Sequence, residues 1–318
     1  MTAVAASILD AIGNTPLVEL CRVVPPNCAR ILVKLEGQNP TGSMKDRMAQ
    51  SMIGRAEADG RLKPGDTIVE YTGGSTGASL ALVAAAKGYR LKIVSSKAFS
   101  EEKLTQMAAF GAELTLVESE GGLITRKLIG DMIAAAKEIA TASNTYWTDQ
   151  LNNRDSIAGY HPMGEEIWRQ ASTAGGGTVD AFVQSIGTAA SLNGVAAVLR
   201  RHKPQTRIVA VEPGESAVLS GGKPGAHKIE GIGIGFAPPM WDAAIADEII
   251  PVTTADAEAM ARRLAKEEGL FAGTSSGGNV VAAIRLGARL GPKATIATLL
   301  VDSGLKYLST EVYRRTGR

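Results

Sequence analysis

Asn39-Pro40-Thr41-Gly42-Ser43-Met44-Lys45-Asp46-Arg47 is the stretch on which the fold turns. Residues 31–36 before it are mostly apolar and read as extended, and the pattern after it is helical. A turn of Pro, Thr, Gly and Ser therefore delivers Lys45 into the first turn of a helix. Helix N-termini favour anions, so a lysine there is electrostatically misplaced. Burial and nearby positive charge push such a lysine toward its neutral, nucleophilic form. A neutral amine facing a cleft can condense with an aldehyde. The plain alternative is a surface lysine near a helix start, and the rest of the chain decides between the two.

Outward from this stretch, strand-like and helix-like segments alternate. Strands are predicted at 67–71, 91–95 and 113–117, with helices at 76–87, 101–110 and 125–141, two of them stopped by Gly88 and Gly111. The second half repeats the grammar, with strands at 181–185, 207–211 and 295–301 and helices at 192–202, 255–268 and 277–290. This alternation implies an α/β fold of parallel sheets covered on both faces. A chain of 318 residues is long enough for two such lobes with a cleft between them. Ligands in these folds sit at the carboxyl ends of strands, beside helix N-termini. The glycine-rich stretch 171–178 reads as a surface loop between lobes.

Composition narrows the function classes. At 45% hydrophobic and 21% charged residues the chain reads as globular, and a net charge of +2 leaves no nucleic-acid or membrane footprint. Cys21 and Cys28 lack C-x-x-C spacing, and His161, His202 and His227 are scattered, so neither a disulfide framework nor a metal site is expected. Two thiols of this kind suit a reducing cytoplasm. The N-terminus shows no signal-peptide pattern, and the longest apolar run, 80–86, is too short to span a bilayer.

Three predicted strand-to-helix junctions are loaded with Gly, Ser and Thr. Thr72-Gly73-Gly74-Ser75-Thr76-Gly77 offers free backbone N–H groups to an anion such as a substrate carboxylate, or else is a helix start capped by Ser75 or Thr76. Gly187-Thr188-Ala189-Ala190-Ser191 pairs two hydroxyls with consecutive N–H groups and suits a phosphate, or else is an ordinary capped turn. Gly273-Thr274-Ser275-Ser276-Gly277-Gly278 opens a helix and could present a hydroxyl to a ring nitrogen, capping being again the alternative. Gly231-Ile232-Gly233-Ile234-Gly235 fails the G-x-G-x-x-G spacing of dinucleotide binding, because Phe236 holds the last position.

Taken together, and in this order along nearly the whole chain, these segments resemble the cysteine synthase and cystathionine β-synthase family of fold-type-II pyridoxal-phosphate enzymes, whose architecture is like that of tryptophan synthase β. Ile12-Gly13-Asn14-Thr15-Pro16-Leu17-Val18 is similar to the family's opening motif, and 39–47 to its Schiff-base lysine motif, with Lys45 as the lysine. Residues 221–236 are similar to O-acetylserine sulfhydrylases in particular, and Asp302-Ser303-Gly304 with Tyr307-Leu308-Ser309-Thr310 match the usual ending.

The resemblance implies pyridoxal 5'-phosphate in a cleft between two parallel-sheet lobes, a smaller mobile lobe of 46–153 and a larger one of 1–45 plus 154–318. It implies that Lys45 binds the cofactor and later moves the α-proton, that Gly187, Thr188, Ala189, Ala190 and Ser191 hold the phosphate, that Ser275 faces the ring nitrogen, and that Gly231 lines the ring. Thr72, Gly73, Gly74 and Thr76 would grip the substrate carboxylate with Gln150 nearby, and Ser75 would stand where the family has an asparagine at the ring hydroxyl. A serine at the ring nitrogen does not force its protonation, which favours prompt β-elimination and addition over transamination.

The implied activity is conversion of O-acetyl-L-serine and sulfide to L-cysteine and acetate, through an aminoacrylate. The implied state is a cytoplasmic homodimer, with serine acetyltransferase as a candidate partner. Departures stand at Gly73 (serine in the family), Ser75, and Ala189 and Ala190, which replace glycines of the phosphate loop. They leave open another serine derivative or serine itself, cystathionine formation, plain elimination, or a catalytically weak regulatory relative.

Overall fold

The computed structural model describes residues 4–122, 124–173 and 178–314. In chain order the elements are β1 (Leu17–Glu19), β2 (Arg30–Leu35), α1 (Lys45–Ala58), β3 (Thr67–Tyr71), α2 (Ser75–Lys87), β4 (Arg90–Ser95), α3 (Glu101–Ala109), β5 (Glu113–Leu116), α4 (Arg126–Ile139) and β6 (Thr145–Trp147). There follow α5 (Asp155–Ala158), α6 (His161–Thr173), β7 (Ala181–Ser185), α7 (Ala190–His202), β8 (Arg207–Pro213), β9 (Glu248–Val252), α8 (Thr254–Arg263), α9 (Thr274–Leu290) and β10 (Thr295–Leu300).

Two sheets result. Strands β5-β4-β3-β6 form one, all parallel, and β1-β2-β10-β7-β8-β9 form the other, parallel except for the β1–β2 pair. Strand β3, Thr-Ile-Val-Glu-Tyr, is buried at every position, as a strand covered on both faces requires. Helix α2 is rich in alanine and ends on Gly88 at φ +77°, the left-handed stop its sequence calls for. One continuous core joins the sheets. It runs from Ile68 and Ile93 through Met48, Met52 and Ile53 of α1 to Leu32, Phe182 and Ile208. Helix α1 therefore lies between the two layers, and its first residue, Lys45, is held where they meet.

Several sequence expectations are corrected. Residues 171–173 belong to α6 rather than to a loop, and 174–177 lie outside the described residues. The helix expected over 255–268 is regular only to Arg263, and Leu264–Glu268 continues as a wider π turn. Helix α7 starts at Ala190, two residues early, which places Ser191 inside its first turn. Strands β1, β6 and β9 and helices α5 and α6 carry no expectation from sequence; the two three-residue strands are too short to show a period. No helix among the described residues is long and apolar enough to cross a membrane.

Candidate active site

Lys45 is fixed from both sides. The Met44 amide donates to the Val301 carbonyl at 3.0 Å, and the Ser303 amide donates to the Gly42 carbonyl at 2.9 Å, so the turn is clamped to the end of β10. Asp46 ties the same turn to α2, accepting from the Thr41 hydroxyl at 2.5 Å and the Ser79 hydroxyl at 2.6 Å. Arg47 anchors the other side through a buried bidentate pair with Glu36 (2.7 and 2.8 Å) and another with Glu166 (2.9 and 2.8 Å). Lys45 lines a cavity of about 460 Å³ and retains partial access to it. No hydrogen bond or ion pair holds its amine among the described residues. Burial among protein atoms lowers its pKa to about 8, and the negative charge of Asp302 resists that fall.

The three glycine-, serine- and threonine-rich junctions converge on the same cavity. Thr72, Gly73, Gly74, Ser75 and Thr76 line it at the start of α2, and Gln150 lies beside them, accepting from the Thr76 hydroxyl at 2.8 Å and donating to the Tyr71 carbonyl at 2.8 Å. The cap of α2 is Gly74 at φ +154°, with no side-chain bond, so neither Ser75 nor Thr76 is spent on capping. The Ser75 hydroxyl lies 3.4 Å from Asp302 Oδ2, a long contact.

At α7, Gly187, Thr188 and Ser191 line the cavity, whereas the side chains of Ala189 and Ala190 are buried away from it, leaving only their backbone to serve the site. Ala189 sits at φ +70° as the residue before the helix, a left-handed conformation that costs a non-glycine residue roughly 1 kcal/mol. Ala190 is helical. The amides of Thr188, Ala189 and Ser191 make no hydrogen bond among the described residues, as expected for the open end of a helix. Ser275, 2% exposed, opens α9 and lines the cavity. Gly231 lines it at φ +84°, and its carbonyl oxygen stands 2.5 Å from where a Cβ on Gly187 would be. The two loops can approach this closely because residue 187 has no side chain.

Other cavity residues escape sequence reasoning. Ser185 Oγ and Asp302 Oδ1 are buried without a partner among the described residues, and both residues line the cavity. Asp302 accepts from the Tyr307 hydroxyl at 2.7 Å, and burial raises its carboxyl pKa against the pull of Lys103 and Lys306. Lys103 pairs with Glu230 across the cavity wall, and its ammonium sits 4.2 Å from the Tyr307 ring centroid. Beneath Gln150, buried Glu70 accepts from the Gln150 amide at 2.9 Å and from the Thr148 hydroxyl at 2.6 Å; burial pushes its pKa up to about 7. Of these positions, Asp302 and Tyr307 fall in the ending motifs and Glu230 in the 221–236 stretch, but the resemblance carried no role for any of them.

An unpartnered, half-buried amine, open backbone amides at the start of α7 and unmatched polar oxygens around one cleft would suit an aldehyde that also carries a phosphate. Comparison with known proteins agrees. The family profile described as pyridoxal-phosphate dependent enzyme matches residues 8–302.

The chain belongs to that family.

It is 43% identical over 308 residues to a cysteine synthase of Staphylococcus aureus, covering 96% of each chain. It is 40% identical over 314 residues to a probable cysteine synthase of Bacillus subtilis, covering 98% of this chain and 99% of the relative. The crystal structure of the cysteine synthase from Entamoeba histolytica superposes with a TM-score of 0.89 at 39% identity, over 99% of this chain and 93% of that one. The expected fold type and cofactor stand on these findings. The residues present fit pyridoxal 5'-phosphate, because the cleft offers a partnerless lysine, a glycine cradle at 187 and unmatched polar atoms.

Proposed function

We propose that this chain carries out β-replacement on an activated serine, converting O-acetyl-L-serine and sulfide to L-cysteine and acetate. The observation that carries the proposal is Lys45: an amine with its pKa near 8 and no partner among the described residues, set among three helix starts that carry no side-chain cap. Pyridoxal phosphate, when bound, supplies a sink for the electron pair released when the substrate's α-proton leaves.

The chain's own residues do the remainder. Lys45 Nζ would hold the cofactor at its aldehyde carbon and, once released from it, would take the substrate's α-proton and return it. The amides of Thr188, Ala189 and Ser191, with the hydroxyls of Thr188 and Ser191, would bind the phosphate dianion without a cationic side chain. Ser275 Oγ would face the ring nitrogen without forcing its protonation, which favours prompt departure of acetate over a long-lived charge on Cα. The backbone of Gly73, Gly74 and Thr76 and the Thr72 hydroxyl would orient the substrate carboxylate, while the Thr76 hydroxyl spends its proton on Gln150, which itself donates to the Tyr71 carbonyl. Ser75 stands beside Asp302, short of the reach an asparagine would have.

The same reading makes 46–153 a smaller lobe that closes on substrate against 1–45 plus 154–318. All four strands of one sheet fall between Thr67 and Trp147. It also makes the protein a cytoplasmic homodimer, with serine acetyltransferase as the candidate partner.

The test is to quantify L-cysteine and acetate released by the purified holoenzyme from O-acetyl-L-serine and sulfide, beside a Lys45→Ala control. Equal amounts of the two products, absent in the control, support the proposal. Release of pyruvate without cysteine, or no product, rejects it.

A further inference from the structure

Sulfide needs no apolar container, yet one wall of the cavity is hydrocarbon. Phe99, just before α3, lies over Gly73. A Cβ at residue 73 would stand 2.3 Å from Phe99 Cε1 and 2.7 Å from Cδ1 and Cζ. The ring therefore fills the space that a side chain at 73 would need, and the substrate loop presents a flat aromatic face there instead of a hydroxyl. Phe99, Ile129 and Ile234 all line the cavity, and each packs against the buried cluster of Val69, Tyr71 and Leu151. Ile124 extends the same lining and is 40% exposed. All four residues keep part of their apolar surface uncovered. Buried or half-buried hydrocarbon on a site wall favours ligands that bring hydrocarbon to it.

We propose that Phe99, with Ile124, Ile129 and Ile234, selects the nucleophile, and that the site takes a thiol carrying an apolar or aromatic body. This rests on the β-replacement reading. In the step, the Cβ–O bond of O-acetyl-L-serine breaks and acetate leaves once Lys45 has taken the α-proton, and the thiol sulfur then bonds to Cβ. The α-proton taken by Lys45 returns to Cα, and the thiol proton passes to solvent. Thiol plus O-acetyl-L-serine thus gives an S-substituted L-cysteine, acetate and a proton, with no oxidant or reductant needed. Covering one side chain's worth of apolar surface corresponds to roughly 10- to 100-fold in affinity.

The experiment compares sulfide, methanethiol and phenylmethanethiol as nucleophiles for the holoenzyme with O-acetyl-L-serine. In parallel, calorimetry compares the binding of S-methyl- and S-benzyl-L-cysteine. The expected result is kcat/KM for phenylmethanethiol roughly 10- to 100-fold above methanethiol, and a similar ratio in the two binding constants. Phe99→Ala should shrink both ratios by about tenfold, and Phe99→Leu, which keeps most of the packing, should shrink them less. Ratios at or below one, or ratios that Phe99→Ala and Phe99→Leu leave untouched, overturn the proposal. If sulfide alone is turned over efficiently, β-replacement stands and the selection falls. If O-acetyl-L-serine reacts with no nucleophile, β-replacement falls, and the calorimetric ratio with its Phe99 dependence still decides the selection.

Discussion

Glu166→Gln tests how the fold holds Lys45 in position. Arg47, two residues past Lys45, is bonded to Glu36 and Glu166, and Lys34 reaches Glu166 at 2.7 Å. The four side chains balance, two positive against two negative, and their exposures run from 0% to 8%. Glutamine keeps the shape of residue 166 but leaves one buried positive charge in excess. Burial would raise the Glu166 carboxyl, but the bonds and charges of Arg47 and Lys34 win and hold it down at about 2. From an ordinary value near 4.5, that depression corresponds to roughly 3 kcal/mol, and removal of one partner of a buried pair costs about 3–5 kcal/mol. With unfolding entropy of about 2.1 cal/mol/K per residue, a chain of this length should lose about 4–8 °C in Tm. The sign with pH follows from the depressed carboxylate: its stabilisation is complete above about 4.5 and fades as pH falls toward 2. Calorimetric melts of both proteins should therefore show a gap that is full at neutral pH and narrows below about pH 4.5. A gap under about 1 °C, or one that does not change with pH, would refute the reasoning.

Cofactor capture by apo-protein should follow the neutral fraction of Lys45. Its rate should rise with pH and level off above about 8, monitored by the growth of visible absorbance; a midpoint near an ordinary lysine value contradicts the burial argument. Ala189→Gly relieves a left-handed alanine and should raise Tm by about 1–2 °C in the same melts, whereas a lower Tm would show that the φ of +70° carries no strain. Gly187→Ala sets a methyl 2.5 Å from the Gly231 carbonyl oxygen and forces the two loops apart. Cofactor affinity by equilibrium dialysis should fall roughly tenfold, and unchanged affinity would remove residue 187 from the cradle.

What the sequence disclosed was local. The junctions at 72–77, 187–191 and 273–278 are legible because each compresses a strand end, a glycine and a helix start into a few residues, and the physics of open helix ends applies whatever surrounds them. Lys45 is legible for the same reason, as a cation placed where an anion belongs. What stayed hidden is non-local. Arg47 and Glu166 are 119 residues apart, and nothing in either segment announces the other. The absence of a side chain at Gly73 is visible in sequence, but the ring of Phe99 that occupies its place is visible only in three dimensions. Glu70 reads as one polar residue interrupting a buried strand, and its task of fixing Thr148 and Gln150 depends on β6 lying beside β3. Ala189 lies between: the glycine it replaces flagged the position, and the φ of +70° shows why glycine suits it.

The most direct measurement is the visible absorption spectrum of the purified protein, recorded alone, after O-acetyl-L-serine, and after subsequent sulfide. The account predicts a cofactor band that shifts to longer wavelength with O-acetyl-L-serine and returns when sulfide is added, with the band missing in Lys45→Ala. A protein with no visible band, or with a band indifferent to O-acetyl-L-serine, would contradict it.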